Sequence, residues 1–231
     1  EHVLVDADYS QIELRVLAHM SGDPTFIEAF LKAEDIHTRT AAEIFGIPID
    51  EVTPKQRDDA KAVNFGIVYG ISDYGLARNI NISRNEAQGY IDSYFARYPK
   101  VQEYMDRTIE DAKKNGYVTT LMGRRRYLPE LQSRNYNIRS FGERVAMNMP
   151  IQGTAADIIK KAMNSVHYAL KEGGYRSKLI LQVHDELIVD TYRPELEDVK
   201  AIVKEQMENA IELEVPLIVD IGTGYSWFDA N

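Results

Sequence analysis

The pattern of apolar and polar residues predicts strands near both ends of the 231-residue chain and helices between them. Short apolar runs typical of strands occur at residues 3–6, on each side of His184-Asp185-Glu186, and at 217–221. Apolar spacing and capping residues predict helices at 10–20, 24–33, 38–45, 54–69, 83–98, 99–114, 138–148, 154–171 and 194–212. A small hairpin is expected around Gly123. The prediction is therefore an α+β fold, in which an antiparallel sheet with packed helices carries an inserted, mostly helical segment.

Several helix boundaries rest on particular residues. Ser10 is expected to cap the first helix, with Glu13 three residues later in capping-box position. Thr53 and Pro54 are expected to be the N-cap and first residue of the helix at 54–69. Pro150 is expected to break the helical pattern between 138–148 and 154–171, because an internal proline removes a backbone hydrogen bond.

Composition limits the class of protein. With 44% hydrophobic and 27% charged residues, the chain is expected to be globular and to have a buried core. It has no cysteine, so any metal ion must bind to oxygen or imidazole. No apolar run approaches the roughly 18 residues of a membrane helix. The net charge of -9 argues against general affinity for nucleic acid. The strand-like start, EHVLVDADYS, suggests a piece of a longer chain.

The most unusual stretch is LILQVHDELIVD, residues 179–190, where three titratable residues interrupt an apolar pattern. A tight turn between two strands would place Asp185 and Glu186 at a hairpin tip, and a solvated turn is the ordinary interpretation. Two features favour a functional turn. The flanking runs are apolar at odd and even positions, as in a sheet buried on both faces, and the turn lacks the Gly or Asn common in two-residue hairpins.

A second group of acids lies in VDADYSQIELR, residues 5–15. Asp6 and Asp8 belong to the same face of a strand, and Asp8 stands where the strand ends and a helix begins. One interpretation is that Asp8 only caps this helix. The other is that it binds a hard metal ion together with an acid from a second strand, because Mg²⁺ prefers oxygen ligands. The spacing does not choose between Asp6 and Asp8.

Arg57, Lys61, Phe65 and Tyr69 recur at every fourth residue in RDDAKAVNFGIVY and so form one stripe on a helix. Arg57 and Phe65 are ~12 Å apart along such a helix, about the length of a nucleoside triphosphate from its γ-phosphate to its base. Guanidinium and ammonium groups bind phosphate, and an aromatic ring packs on a sugar or base. The stripe therefore predicts a triphosphate site, with a helix of snorkelling cations as the alternative.

Three segments in this order, DYSQIELR, KAVNFGIVYG and QVHDE, resemble the three polymerase motifs of family A DNA polymerases, the bacterial DNA polymerase I type. The resemblance runs from end to end and includes RRRYLPEL and NMPIQGTAADIIKKAM. It implies that residues 1–20 and 140–231 form a palm subdomain and residues 21–139 form the fingers. The thumb and exonuclease domains are then absent from this chain.

The same resemblance implies a template-directed DNA polymerase. Such an enzyme adds deoxynucleoside triphosphates to a primer 3′-hydroxyl by two-metal-ion phosphoryl transfer and releases pyrophosphate. Asp8 and Asp185 are implied to bind two Mg²⁺ ions, for which Mn²⁺ could substitute. Glu186 is implied to be a nearby catalytic carboxylate, and Lys61 to act in catalysis as well as binding. The residues implied to surround the incoming triphosphate are Gln11, Glu13, His37, Arg57, Lys61, Phe65 and Tyr69.

Contacts with primer–template DNA are implied for Tyr69, Arg144, Asn148, Gln152 and His184. A donor such as His184 would meet the purine N3 and pyrimidine O2 acceptors that every base pair offers in the minor groove, and so would test pair geometry without reading sequence. Because Pro150 is expected to break the helix, the spacing of Arg144, Asn148 and Gln152 by four does not establish a common face. Without the resemblance, these three residues are ordinary polar residues near a helix end.

The expected partners are primer–template DNA, deoxynucleoside triphosphates and the missing N-terminal polymerase parts. No membrane association is expected. The expected location is the bacterial cytoplasm, in association with the nucleoid. Three alternatives stay open. A single-subunit RNA polymerase-like nucleotidyltransferase is disfavoured by Glu13, and a two-metal nuclease does not explain the stripe. A silent subunit is disfavoured by the presence of Asp8, Asp185 and Lys61. The isolated chain is expected to bind DNA weakly because of its net charge of -9, and to be a poor polymerase because it lacks the thumb. A non-catalytic DNA-binding fragment is the alternative for the isolated chain.

Overall fold

The computed structural model of the protein describes residues 1–230, and the chain divides into two compact units. The first unit comprises Glu1–Ile12 and Thr154–Asn231, and the second comprises Glu13–Gly153. The sequence predicts a palm of residues 1–20 and 140–231 and fingers of residues 21–139. The two compact units are not identified as these subdomains, so the bounds stay a prediction.

The strands are β1 His2–Tyr9, β2 Tyr117–Thr119, β3 Arg125–Tyr127, β4 Lys178–Val183, β5 Glu186–Tyr192 and β6 Val219–Gly224. The α-helices are α1 Ile12–Ser21, α2 Pro24–Leu31, α3 Ile36–Phe45, α4 Pro54–Val68, α5 Asp73–Ile80, α6 Arg84–Arg97, α7 Pro99–Asn115, α8 Tyr136–Glu172, α9 Leu196–Glu208 and α10 Trp227–Ala230. Short 3-10 helices occupy Ile49–Glu51, Pro129–Gln132 and Arg193–Glu195. No helix in residues 1–230 combines the length and apolar character needed to cross a membrane.

The first unit is built on an antiparallel sheet in the strand order β4-β5-β1-β6, so the predicted α+β class is confirmed. β5 is buried along most of its length, with Leu187 and Val189 fully inaccessible. β4 is an edge strand, and Ile180 and Leu181 are 55% and 46% exposed. The expectation that both flanks of the turn lie in a sheet buried on both faces is therefore wrong for β4, because successive residues on its two faces are exposed.

One face of this sheet packs on α9, which contacts β1, β5 and β6. Tyr9, at the end of β1, is 2% exposed, and its hydroxyl donates a 2.6 Å hydrogen bond to the carbonyl oxygen of Met207 at the end of α9. Val199 and Val203 are fully buried on the same helix. The Tyr9 bond therefore fixes the end of β1 to a helix held in place by apolar packing.

The second unit is mainly helical. Asp23 caps α2 by accepting from the backbone of Thr25 and Phe26, and its second carboxylate oxygen accepts from the backbone N–H of Lys100 at the start of α7. The β2–β3 hairpin forms as expected from the sequence. It packs in a cluster of buried residues from α7, the hairpin, the following segment with its 3-10 helix, and α8: Ala112, Val118, Leu128, Leu131 and Ala146.

The largest correction concerns Pro150. α8 runs without interruption from Tyr136 to Glu172 and contains this proline. An internal proline costs a helix about 3 kcal/mol, but Ala146 and Ile151, on either side of it, are fully buried. The apolar packing of both halves outweighs the loss of one backbone hydrogen bond, so the expected break is wrong.

Three smaller differences have local causes. α1 begins at Ile12, and Gln11 before it has a φ of 55°, so Ser10 is not the residue next to the helix. α5, which the sequence did not predict, is capped by Ser72, whose hydroxyl accepts from the backbone of Gly75. α9 ends at Glu208 instead of continuing to residue 212, because the chain turns there towards β6.

The Tyr9 hydroxyl gives a stability prediction. Tyr9→Phe should lower the free energy of unfolding by about 1–3 kcal/mol, because the Met207 carbonyl loses its buried donor. Chemical denaturation measures this change. Tyr168→Phe, at a tyrosine that is 55% exposed on α8, should change the free energy much less. Equal values for the two variants would contradict a stabilising role for the Tyr9 bond.

Candidate active site

The register of β1 brings acids from three strands side by side. Asp8 pairs with Glu186 on β5 and with Asp220 on β6. Because directly paired residues of an antiparallel sheet share a face, and residues two apart on a strand do so as well, Asp6, Asp8, Glu186 and Asp220 lie on one face. We call this surface the acidic face. It is opposite to the face on which Tyr9 contacts α9.

The acids on this face have unusual electrostatics. Asp8 keeps solvent contact, but partial burial of its carboxyl, followed by repulsion from Asp185, Glu186, Asp6 and Asp220, raises its pKa to about 6. Burial also raises the pKa of Glu186, with Asp6 and Asp185 adding to the effect. Excess negative charge has therefore accumulated around Asp8, which is the environment that a bound cation would neutralise.

The β4–β5 turn presents His184 and Asp185 as its two central residues, because Val183 pairs with Glu186. His184 has a φ of 49°, an unfavourable value for a residue with a side chain, and Gln182 donates a 2.6 Å hydrogen bond to its carbonyl oxygen. The Tyr9 N–H donates to the Asp185 carbonyl oxygen at 3.3 Å. The turn is therefore tied to the end of β1, close to Asp8, and His184 is exposed.

These acids can contribute to a metal site without completing one. Within residues 1–230, no three His, Asp or Glu side chains are arranged to hold an ion by themselves. Mg²⁺ is commonly bound by one or two carboxylates together with water and substrate phosphate. The carboxylates of Asp8 and Asp185 fit that description. Asp6 is 3% exposed, so Asp8 is the more accessible of the two acids that the sequence left undecided.

The second unit contains the predicted cation–aromatic stripe on α4. The helix starts with a full capping box between Thr53 and Gln56. Arg57 is held by Asp35, whose carboxylate lies 2.8 Å from the guanidinium and also caps α3. Lys61 is exposed and Phe65 is half-buried. The stripe is therefore present as predicted, with its guanidinium oriented by the neighbouring helix.

His37 lies behind Phe65, and not on the surface. It is 2% exposed, its ring centroid is 5.8 Å from that of Phe65, and its Nδ1 is 2.9 Å from Asn64 Nδ2. Thr40 donates to Asn64 Oδ1 at 3.1 Å. Burial lowers the pKa of His37 to about 4, although Asp35 acts in the opposite direction. The ring is therefore neutral at physiological pH and supports Phe65 from below.

Tyr69 follows the last residue of α4 and is 44% exposed. Its hydroxyl donates a 3.3 Å hydrogen bond to Glu13 Oε1 on α1. With Phe65, Gly70 and Arg144, it lines an open pocket of about 470 Å³. Gly70 has a φ of 65°, and a Cβ on it would collide with the side chain of Met147. The left-handed φ favours glycine at this position, whereas the Met147 methyl is the end of a flexible side chain.

α8 brings the three predicted DNA contacts into line. Because the helix is continuous, Arg144, Asn148 and Gln152 are successive residues of one stripe. Asn148 donates to the carbonyl oxygen of Val68 at 3.5 Å, and Arg144 and Gln152 are exposed. The expectation that Pro150 separates these side chains is corrected here. Gln11, in the first unit, is half-buried at the turn before α1.

The structure also reveals site residues that the sequence did not single out. Asp220 is one, because nothing in a strand at the far end of the chain indicates a pairing with Asp8. Asn64 and Asp35 are the others. Asn64 is fully buried in the motif segment KAVNFGIVYG. Its position as a polar residue on the apolar side of a helix could have identified it from the sequence.

Comparisons with known proteins agree with one another. The family model described as DNA polymerase family A matches residues 1–229. DNA polymerase I of Caldicellulosiruptor bescii is 58% identical over 230 residues, which are 100% of this chain and 27% of that protein. DNA polymerase I of Streptococcus pneumoniae serotype 4 is 54% identical over 232 residues, again 100% of this chain and 26% of that protein.

A solved structure gives the same result for the fold. The polymerase domain of Pol1 from M. smegmatis, in complex with DNA primer-template and dNTP, superposes with a TM-score of 0.95 at 49% identity. The match covers 99% of this chain and 40% of that chain. The chain thus spans about a quarter of the length of its curated relatives.

The buried imidazole gives a pH prediction. The folded protein binds this proton only near pH 4, whereas an unfolded histidine binds it near its ordinary value of 6.5. His37 should therefore lower the free energy of unfolding by about 3 kcal/mol in total as the pH falls from about 6.5 to about 4. Denaturant unfolding across this range should show a steeper loss for the parent than for His37→Gln.

The matched control is His167→Gln, which replaces an exposed histidine and should keep the parent's pH dependence. If the free energy of unfolding falls equally with pH in the parent and in His37→Gln, His37 is protonated in the folded protein. Its buried bond to Asn64 then does not hold it neutral.

Proposed function

Because the chain belongs to DNA polymerase family A, we propose that it forms part of the active site of a template-directed DNA polymerase. This enzyme adds deoxynucleoside triphosphates to a primer 3′-hydroxyl and releases pyrophosphate. The observation that carries the proposal is the register of β1, which places Asp8 next to Glu186 and ties it to the Asp185 turn. Acids on adjacent strands with a surplus of negative charge suit phosphoryl transfer, in which positioning and charge neutralisation do most of the work.

Asp8 and Asp185 are the proposed ligands of two Mg²⁺ ions, for which Mn²⁺ could substitute. The raised pKa of Asp8 supports this assignment, because a cation would relieve the repulsion among the neighbouring acids. When bound, such ions activate the attacking hydroxyl and stabilise charge on the triphosphate and leaving group. Glu186 is proposed to have a secondary role, as a buried carboxylate that orients the groups around Asp8.

The stripe on α4 is proposed to bind the incoming triphosphate. Arg57 would bind phosphate oxygens as a fork whose orientation is set by Asp35. Lys61 would place a point charge on the phosphates and offset charge that develops on the leaving pyrophosphate. Phe65 would pack against the base or sugar, with the buried His37 ring behind it. Gln11 is proposed to lie near the same nucleotide.

Primer–template contacts are proposed for the exposed polar residues of α8 and the β4–β5 turn. Arg144, Asn148 and Gln152 form one stripe, and such a row can follow the minor groove. His184 would donate from the turn to acceptors common to all base pairs. Tyr69 would occupy the insertion site by stacking and leave it when the template base enters. The pocket beside Tyr69 gives the ring space to move.

The palm and fingers assignment is part of the proposal, with residues 1–20 and 140–231 in the palm and 21–139 in the fingers. The chain covers about a quarter of its relatives, so thumb, remaining palm and any exonuclease activity would come from other segments. The isolated chain, with a net charge of -9, is expected to bind DNA weakly. Primer extension by the full-length protein, with deoxy- against ribonucleotides, tests the proposal against an RNA polymerase-like activity.

The metal-ligand assignment gives a catalytic prediction. Asp8→Asn or Asp185→Asn should reduce primer extension by the full-length protein more than about a hundredfold, equivalent to ~2.7 kcal/mol in the activation barrier. The melting temperature of Asp8→Asn should stay the same or rise, because the replaced carboxylate is repelled by its neighbours. Asp198→Asn, at an exposed acid on α9, is the control and should keep full activity. Retention of more than a hundredth of the rate would refute the assignment.

Glu13 gives a prediction about sugar choice. Tyr69 holds its carboxylate, and a glutamate beside the nucleotide sugar would clash with a ribose 2′-hydroxyl. Glu13→Ala should therefore reduce discrimination against ribonucleotides by about ten- to thousandfold, each tenfold being ~1.4 kcal/mol. Steady-state incorporation efficiencies for both nucleotide classes measure the ratio.

Glu13→Gln keeps the side-chain volume and should keep most of the discrimination, which separates steric exclusion from an effect of charge. If Glu13→Ala leaves the ratio unchanged and only lowers the melting temperature, Glu13 supports the helix and does not select the sugar.

A further inference from the structure

Asn64 is a fully buried polar residue of α4, and its amide group connects this helix to α3. Its Oδ1 accepts a 3.1 Å hydrogen bond from the Thr40 hydroxyl, and its Nδ2 lies 2.9 Å from Nδ1 of His37. Thr40 and His37 are themselves 1% and 2% exposed, so water does not compete for these bonds. The three side chains form a buried connection between the two helices, which we call the α3–α4 bridge.

The bridge determines which nitrogen of His37 carries a proton. An amide nitrogen only donates, so Nδ1 of His37 must accept and is unprotonated. The ring is neutral at physiological pH, since burial lowers its pKa to about 4. A neutral imidazole carries one proton, which is therefore on Nε2. This Nε2–H makes no hydrogen bond to any group in residues 1–230. A donor in a buried ring is costly without an acceptor, so a ligand is the expected source of one.

His37 lies beside the middle of the stripe on α4. One carboxylate oxygen of Asp35 accepts from the His37 backbone N–H at 2.9 Å, and the other accepts from Arg57 at 2.9 Å. The His37 ring in turn is next to Phe65, with 5.8 Å between the ring centroids. Because Arg57 and Phe65 are the two ends of the proposed triphosphate site, the imidazole lies where phosphate oxygens would be. A charged phosphate oxygen is a strong acceptor for an N–H donor.

We propose that Thr40 and Asn64 are positioning residues that hold His37 as its Nε2–H tautomer and so make it a neutral donor to the incoming triphosphate. The opposite tautomer would direct a lone pair at the phosphate oxygens and repel them. Arg57 and Lys61 already supply positive charge, and a further charge on a buried ring would be destabilised by desolvation. This inference rests on the proposed function for the identity of the acceptor, whereas the tautomer can be measured without nucleotide. It gives a role to Thr40, which lies outside the three motif segments.

The preferred tautomer also explains why a buried asparagine suits this position of α4. An asparagine has an acceptor at one end of its amide and a donor at the other. It can therefore accept from Thr40 and donate to His37 at the same time, which a carboxylate cannot do. An apolar residue would satisfy neither partner and would leave the tautomer of His37 undetermined.

Nuclear magnetic resonance measures the tautomer directly, because proton–nitrogen correlation spectra of imidazole rings distinguish a protonated from an unprotonated nitrogen. The sequence has five histidines, and the signals of His37 are those that disappear in His37→Gln. In the 231-residue chain at neutral pH, we expect His37 to have an unprotonated Nδ1 and a protonated Nε2. A protonated Nδ1 in the parent would overturn the proposal, because Asn64 would then present its oxygen to the ring.

Variants of Thr40 test whether its hydroxyl orients the amide. Thr40→Val keeps the shape of the side chain but removes the hydroxyl, so the Asn64 amide can present either end to His37, and the spectrum should show both tautomers. Thr40→Ser restores the donor and should give the spectrum of the parent. Thr38→Val, the same substitution at a half-buried position of α3, should also leave it unchanged. An unaltered tautomer in Thr40→Val would overturn the role of Thr40.

Asn64→Asp should reverse the tautomer, because a carboxylate only accepts and so requires a proton on Nδ1 of His37. In the full-length protein, it should raise the KM for deoxynucleoside triphosphate roughly tenfold, about the contribution of one hydrogen bond to a charged group. The values of kcat and of the KM for primer–template should change much less. Asn85→Asp makes the same charge change at an exposed position of α6 and should behave as the parent.

The pH dependence of Asn64→Asp separates this role from a structural one. The new carboxylate raises the pKa of His37, and below that pKa the ring is an imidazolium that donates from both nitrogens. The ratio of the nucleotide KM of the variant to that of the parent should therefore be high at alkaline pH and fall as the pH is lowered. A loss of packing would give a ratio that does not depend on pH.

The remaining outcomes are distinguishable. A reversed tautomer with an unchanged nucleotide KM would overturn the role of His37 as a donor. Equal increases of both KM values with a lower melting temperature would show a general loss of structure and would also overturn the proposal. If the full-length parent does not extend primers, the proposed function and the donor role are overturned together, whereas the tautomer measured in the chain does not depend on that result.

Discussion

The pairing of β1 between β5 and β6 is the constraint on which the rest of the site depends. Its register places Asp8 directly between Glu186 and Asp220. A shift by one residue would move every side chain of β1 to the other face of the sheet and separate Asp8 from both acids. The register is held by the backbone ladder, by the Tyr9–Met207 hydrogen bond and by the link from Tyr9 to the Asp185 turn. Fully buried apolar residues such as Val5 and Ala7 on the opposite face make the alternative register unfavourable.

The cluster of acids around Asp8 destabilises the folded protein at the same place where it can bind a cation. Burial, followed by repulsion from neighbouring acids, raises the pKa of Asp8 and Glu186 and weakens the folded state at neutral pH. His184 adds a strained backbone at the neighbouring turn. The apolar core of β5 and the packing of α9 offset these costs, so the sheet carries a locally unfavourable cluster. Such conflicts between local preference and overall fold are expected at functional sites.

The second unit holds polar and aromatic side chains of α4 in fixed orientations. Asp35 serves α3 as its N-cap and Arg57 as its ion-pair partner. His37, Asn64 and Thr40 form a buried hydrogen-bonded group behind Phe65. A satisfied polar network of this kind rigidifies the surface it supports. The outward residues of α4 therefore need little reorganisation when they bind a ligand.

The sequence alone determined most of the elements and the chemistry-bearing segments. Local spacing was sufficient for α4 and its stripe, because i and i+4 residues of a helix must share a side. It was also sufficient for Thr53 as the N-cap of α4 and for a turn after Val183, because these depend on neighbours in the chain. The expectation that Glu186 lies at the hairpin tip is wrong, because Glu186 pairs with Val183 as the first residue of β5. The α+β class followed from the positions of the strands, and the family from three ordered motifs.

Which distant residues meet depends on how the whole chain folds. Asp220 joins Asp8 through strand pairing across more than two hundred residues, and no local pattern contains that information. The continuity of α8 through Pro150 was decided by apolar packing on both sides of the proline, which local propensity cannot measure. The docking of α10 on Gly222 and Gly224 depends on the absence of two side chains and on nothing visible in the helix itself. Propensity and periodicity act within a few residues, whereas register, burial and charge accumulation exist only once the chain has folded.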